Sequence, residues 1–218
     1  LEAIVPHNVH LILVPKVENA KQLKAVDDKI QNIRKDCGRK EPVYLMPILE
    51  SAKGILNSFE IAKASKNNVA IAIGLEDYTA DIGVERTNQG RESLFARSQV
   101  VNAARSVGIQ AIDTVFSDVG DDVGLRLSVQ EAKELGFDGK GCIHPRQIKP
   151  IHEEFAPSKT EIEKAKKIVL AFDIAEKKGL GVVSLGSKMI DPPVVKRAQH
   201  TMNLGITSGL VSKNWKLN

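Results

Sequence analysis

What constrains this chain most is an alternation: short runs of branched apolar residues, each followed by a longer amphipathic stretch. The runs are residues 10–14 (HLILV), 43–49 (VYLMPIL), 69–73 (VAIAI), 109–116 (IQAIDTVF) and a shorter 139–144 (GKGCIH). They return about every 30 residues, the length of a βαβ unit. Between them, Leu23, Val26, Ile30 and Ile33 recur at helical spacing after the first run. Helices are expected over 52–66, over 91–107 ending at Gly108, and over 123–135 ending at Gly136, glycine being the favoured residue just past a helix. Residues 74–90 read as a loop. Strands alternating with helices imply a parallel sheet buried on both faces, which suits a chain with only 4% aromatic residues. An open doubly wound sheet and a TIM barrel both satisfy the pattern. No G-x-G-x-x-G follows a strand and no G-x-x-x-x-G-K-[ST] occurs, so the usual nucleotide fingerprints of open sheets are missing. A barrel needs eight strands, and the sequence supplies five of them.

The last third changes character. Ser158 and Glu161 form a capping box ahead of a helix carrying Ile162, Ala165, Val169 and Phe172 on one stripe. Residues 181–190 are glycine-containing and β-like, and Asp191-Pro192-Pro193 opens a final helix. The expected division is a barrel part over 1–155 and a helical extension over 156–218.

With 218 residues, 42% of them hydrophobic, the chain can bury a substantial core. The net charge of +4 reads as an ordinary solvated surface, or as a basic rim attractive to a phosphorylated carrier. Scarce aromatics argue against nucleic acid. No apolar run approaches the roughly 18 residues that span a membrane. Cys37 and Cys142 form no metal-binding or disulfide pattern, which points to a reducing, cytoplasmic setting.

In a barrel, chemistry sits where strands end. The polar residues at those ends are Lys16 and Glu18, Glu50, Glu76 and Asp77, Asp113, and His144. Glu50 and Asp77 lie one βα unit apart, on neighbouring strands. Two carboxylates side by side repel unless a cation or proton intervenes, and Mg²⁺ typically takes one or two of them. The plainer alternative is a helix N-terminal Glu50 and a loop-capping Asp77. Glu76 and Asp77, as neighbours on an extended segment, would point apart, so one of them faces such a metal. Asp113 suits a buried partner for a basic group, and His144 before Pro145 suits a structural role. Asp191 is the cap that a helix beginning Pro-Pro wants.

Five segments in order, PILESAKGILN, GLEDYTADIGVERT, ARSQVVNAARSVGIQAIDTVFSD, LGFDGKGCIHPRQI and SKMIDPPVVKRAQ, resemble the citrate lyase β subunit family. That family, within the HpcH/HpaI aldolase superfamily, includes the malyl-, citramalyl- and related acyl-CoA lyases. The likeness extends over about residues 1–205. It implies a TIM barrel, a trimer or hexamer, alone or with other citrate lyase subunits, and Mg²⁺ (Mn²⁺ in its place) held by Glu50 of the P-x-x-E segment and Asp77 of the G-x-E-D segment. It implies a catalytic Asp191 in Met189-Ile190-Asp191 that reaches a neighbouring subunit, and carrier contacts at Ile143, His144 and Pro145. Lys16 and Glu76 would serve substrate or carrier. The expected reaction is retro-Claisen cleavage of a citryl thioester on coenzyme A or acyl-carrier protein, giving oxaloacetate and an acetyl thioester. A malyl-CoA or citramalyl-CoA lyase is the alternative within the enzymes, and a non-catalytic subunit or fragment the alternative outside them. The family's FVPG-like, LEDA-like and R-x-N segments do not occur here. The expectation is therefore a barrel without its first three βα units, beginning at a helix over residues 1–6, with the natural start upstream of Leu1.

Overall fold

Each apolar run forms a strand, trimmed at its ends. A computed structural model describes residues 1–177, 179–185 and 188–216. Strands β1 (Leu11–Val14), β2 (Tyr44–Leu49), β3 (Ala70–Ile73), β4 (Gln110–Asp113) and β5 (Gly139–Lys140) make one five-stranded sheet in the order β1-β2-β3-β4-β5. Every pairing is parallel, for example Val14 beside Pro47 and Ile112 beside Gly139. Helices α1 (Ala20–Asp36), α2 (Ala52–Leu56), α3 (Ser58–Ala62), α4 (Leu75–Asp81), α5 (Leu94–Val107) and α6 (Asp122–Leu135) fill the connections. All four residues of β3, the central strand, are buried. Small residues of α5 (Ala96, Val100, Ala103, Ala104) are buried too, and α5 lies against β3 and β4. Such side chains let a helix approach a sheet closely.

The ends of these elements follow local chemistry. A full capping box starts α1, with the Asn19 side chain accepting from the Gln22 amide and the Gln22 side chain from the Asn19 amide. Gly108 and Gly136 end α5 and α6 in left-handed backbone. Elsewhere the structure corrects the expectation. The supposed loop 74–90 opens with α4, whose first-turn Glu76 and Asp77 favour the positive end of the helix dipole. The single helix expected over 52–66 breaks at Asn57, whose side-chain Nδ2 donates to the Glu18 carbonyl at 2.9 Å. Residues 1–6 form hydrogen-bonded turns instead of a helix, and Arg39 collects the carbonyls of Val5, His7 and Val9. The fourth strand stops at Asp113 and the fifth at Lys140, so His144 lies beyond the sheet.

The chain divides into two compact units, Leu1–Ile151 and His152–Asn218, with α7 (Ile148–Phe155) at the junction. In the second unit, α8 (Lys159–Glu176) and α9 (Pro192–Thr207) pack through Ile162, Ala165, Val169, Val195, Ala198 and Met202, and Phe172 and Trp215 pack against this cluster. The Ser158–Glu161 capping box forms as the sequence indicates. The antiparallel pair β6 (Val183–Leu185) and β7 (Lys188–Ile190) leads into α9. Among the described residues no helix is long and apolar enough to cross a membrane.

Candidate metal centre

Three consecutive strands deliver three charged side chains to one place. Lys16 lies two residues beyond β1, Glu50 directly follows β2, and Asp77 sits in the first turn of α4, after β3. The Lys16 Nζ donates to Asp77 Oδ1 at 2.9 Å. The Glu50 and Asp77 carboxyl groups lie side by side, close enough for each to shift the other's titration. Burial, and then the neighbouring Asp77 charge, push the Glu50 carboxyl up from its usual range, while Lys16 opposes them. Asp77 moves the other way, held down first by the hydrogen bond from Lys16 and then by its charge.

The scaffold beneath these groups is tightly fixed. The Leu75 amide donates to Thr114 Oγ1 at 3.2 Å, tying the start of α4 to the end of β4. Asp81 at the other end of α4 accepts from the Ala52 amide at 2.8 Å, which is the first amide of α2. Gly74 leaves room for the Glu50 side chain, which a Cβ there would meet at 2.8 Å and have to displace. The loop carrying Lys16 is anchored through Glu18, which takes Ser51 Oγ and Lys53 Nζ on its carboxylate and Asn57 on its carbonyl.

A pair of adjacent carboxylates that draws an ammonium onto one of its members is a donor set suited to a hard divalent cation. Among the described residues no group of three His, Cys, Asp or Glu side chains could enclose a metal ion. Two carboxylates, with the remaining positions left to water and substrate oxygens, is the arrangement Mg²⁺ accepts. Glu50 and Asp77 therefore fit the group that the sequence suggested for them.

Glu76 diverges from Asp77, although by helical rotation and not by extended alternation. It pairs with Arg86 at 2.6 Å and lines a polar cavity of about 990 Å³ beside α4. Arg86 also donates to the Val115 carbonyl at 2.8 Å. The same cavity is lined by Arg97, Asp113, Glu131 and Lys140. Asp113 accepts a two-pronged contact from Arg97, at 3.1 and 3.0 Å, and a third from Lys140 at 2.8 Å. Arg97 also reaches Glu131 at 2.8 Å. Burial pushes the Lys140 ammonium down, and Asp113 opposes that shift. Sequence reading anticipated a basic partner for Asp113 but not these two. The signal lay in strand register, because Lys140 stands directly across from Asp113.

Ile143, His144 and Pro145 lie just past β5, two strands along from β3. Ile143 is 54% exposed. His144 Nδ1 accepts from the Arg146 amide at 3.1 Å, starting a short 3-10 turn, Pro145–Gln147. Buried Gln147 accepts from the Ile143 amide and donates to the Phe116 carbonyl, fixing the segment to the loop after β4. In the second unit, Asp191 caps α9, its Oδ1 accepting from the Val194 amide at 3.1 Å.

A parallel sheet with a carboxylate pair at its strand ends defines a class that the comparisons also reach. Residues 1–145 match the family model for HpcH/HpaI aldolase/citrate lyase, and the chain belongs to that family. It is 42% identical over 212 residues to the citrate lyase subunit beta of Escherichia coli K12, covering 96% of this chain and 70% of that protein. It is 33% identical over 201 residues to the mitochondrial citramalyl-CoA lyase of Mus musculus, covering 88% of this chain and 60% of the relative. Among solved structures, the protein CitE of Mycobacterium tuberculosis in complex with magnesium, acetoacetate and coenzyme A superimposes with a TM-score of 0.72 at 27% identity, over 89% of this chain and 67% of the other.

Proposed function

We propose that this chain is a Mg²⁺-dependent carbon–carbon lyase that cleaves a citryl thioester, carried on coenzyme A or acyl-carrier protein, to oxaloacetate and an acetyl thioester. The observation that carries this reading is the Lys16–Glu50–Asp77 constellation at the C-terminal ends of three adjacent parallel strands. The E. coli citrate lyase subunit beta, similar over nearly the whole chain, supports the substrate class. A strand order with no reversal supports a barrel wound in one direction over an open doubly wound sheet.

Glu50 and Asp77 would hold the cation and orient the substrate's hydroxyl and neighbouring carboxylate. When bound there, magnesium supplies the positive charge that stabilises an alkoxide developing on the substrate hydroxyl. Loss of the hydroxyl proton and breakage of the adjacent C–C bond give the keto group of oxaloacetate and the enolate of the acetyl thioester. A proton delivered to the enolate carbon completes the reaction. Asp191 is assigned to this proton transfer, acting on the site of a neighbouring subunit in a trimer or hexamer. Exposed Ile143 and Pro145, with half-buried His144 between them, offer a surface for the carrier, and Lys16 and Glu76 flank the path of the anionic substrate. A cytoplasmic oligomer, alone or with other citrate lyase subunits, is the proposed setting.

The test is Mg²⁺-dependent turnover of citryl-CoA. Glu50→Gln and Asp77→Asn should each lower it at least about 10²-fold while circular dichroism stays unchanged, the scale of losing one preorganised charge-stabilising group. Activity retained in both would end this reading. The similarity to a citramalyl-CoA lyase motivates the second reading, and citramalyl-CoA and malyl-CoA in parallel assays separate the two.

A further inference from the structure

Lys16 is the one non-glycine residue with positive φ among the described residues, at 53°. Left-handed backbone at a lysine crowds its Cβ against the following carbonyl oxygen, and it persists only where the surroundings impose it. Here they do. The Val17 amide donates to the Ile48 carbonyl at 3.2 Å. The Val17 carbonyl lies so close to Gly54 that a Cβ there would stand 2.7 Å from it. Glu18 is tied to Ser51, Lys53 and Asn57. With Val14 held in β1 beside Pro47 on one side and Val17 and Glu18 fixed on the other, the strained residue between aims its ammonium at Asp77. Nothing in the packing of the sheet needs this contact, since the Lys16 side chain is 70% exposed. What needs it is the charge of two adjacent carboxylates.

We infer that Lys16 is a resident counter-ion which occupies Asp77 until a divalent cation displaces it, so that the fold deliberately weakens its own metal site. The inference rests on the reading of Glu50 and Asp77 as the metal ligands. A cation entering the site must break the Lys16–Asp77 pair and accept a positive charge nearby. The displaced ammonium becomes available to an anionic substrate at the same strand ends, which places metal before substrate in the order of binding.

The experiment is calorimetric titration of the substrate-free protein with Mg²⁺ alone, repeated with Mn²⁺ followed by electron paramagnetic resonance. Lys16→Met should bind either ion about two- to fivefold more tightly than the natural protein, the range expected for an exposed ion pair. Lys16→Arg, which keeps the charge, should bind as the natural protein does. Lys16→Met binding no more tightly than the natural protein, while Asp77→Asn loses affinity, would overturn the role of Lys16 and leave the metal site standing. Lys16→Arg binding as tightly as Lys16→Met would overturn it equally, since charge would not be the cause. Undiminished affinity in Asp77→Asn would instead overturn the metal site, and the role of Lys16 with it.

Discussion

Asp113 carries two cations on one buried carboxylate, with its side chain fully covered and that of Lys140 only 1% exposed. Taking Asp113 away would leave Arg97 and Lys140 without their shared counter-charge in a place water barely reaches. Asp113→Ala should lower stability in urea by about 3–5 kcal/mol, the cost of breaking a buried pair from one side. Lys140→Met should cost far less, because Arg97 still satisfies both carboxylate oxygens. Glu50 makes a different prediction. Its raised pKa means that it keeps its proton to higher pH than an ordinary glutamate, and a proton there competes with a metal ion. Mg²⁺ affinity should therefore fall as pH is lowered, starting above the usual carboxylate range, and Glu50→Gln should flatten that dependence in a calorimetric pH series. Both residues were legible as positions, one at each strand end. Their partners were not, because Lys140 meets Asp113 through register and Lys16 meets Asp77 across two βα units.

At the scale of elements, sequence periodicity located the five strands and the long helices, because each shows one face to a core. It failed where tertiary contacts overrule local preference. Asn57 breaks a helix to bind a carbonyl of another loop, and α4 is too short to display a period. The close approach of α2 to the β1 loop was equally invisible. Glycine within a helix ordinarily invites replacement by alanine, worth about 1 kcal/mol. At Gly54 the sign should reverse, because the new methyl would press on the Val17 carbonyl, a backbone atom that cannot rotate away. Gly54→Ala should lose about 1–3 kcal/mol in thermal or urea unfolding, the usual cost of overpacking.

At the scale of the whole molecule, family membership follows from the match over residues 1–145 together with the relatives that span nearly all of the chain. The proposal that Asp191 serves a neighbouring subunit belongs here. Asp191→Asn should abolish turnover yet keep Mg²⁺ binding and the cap on α9, since asparagine caps as well as aspartate. Mixed with Glu50→Gln before assay, it should recover part of the lost activity in hybrid oligomers; absence of any recovery would place proton transfer within one subunit. Sequence could mark Asp191 as a cap and, through resemblance, as catalytic. That it serves a neighbouring subunit was implied by the resemblance alone, since assembly is not written in one chain's periodicity or spacing.

The sequential strand order has a consequence for how the chain comes into being. Each strand pairs with the strand one unit before it, so no pairing in the sheet waits for a distant part of the chain. The connections closed at successive additions differ in length only between 20 and 36 residues, and closure entropy grows only slowly with length. A ribosome delivering this chain would therefore present every new strand to a partner already made, and the sheet could widen at the pace of synthesis.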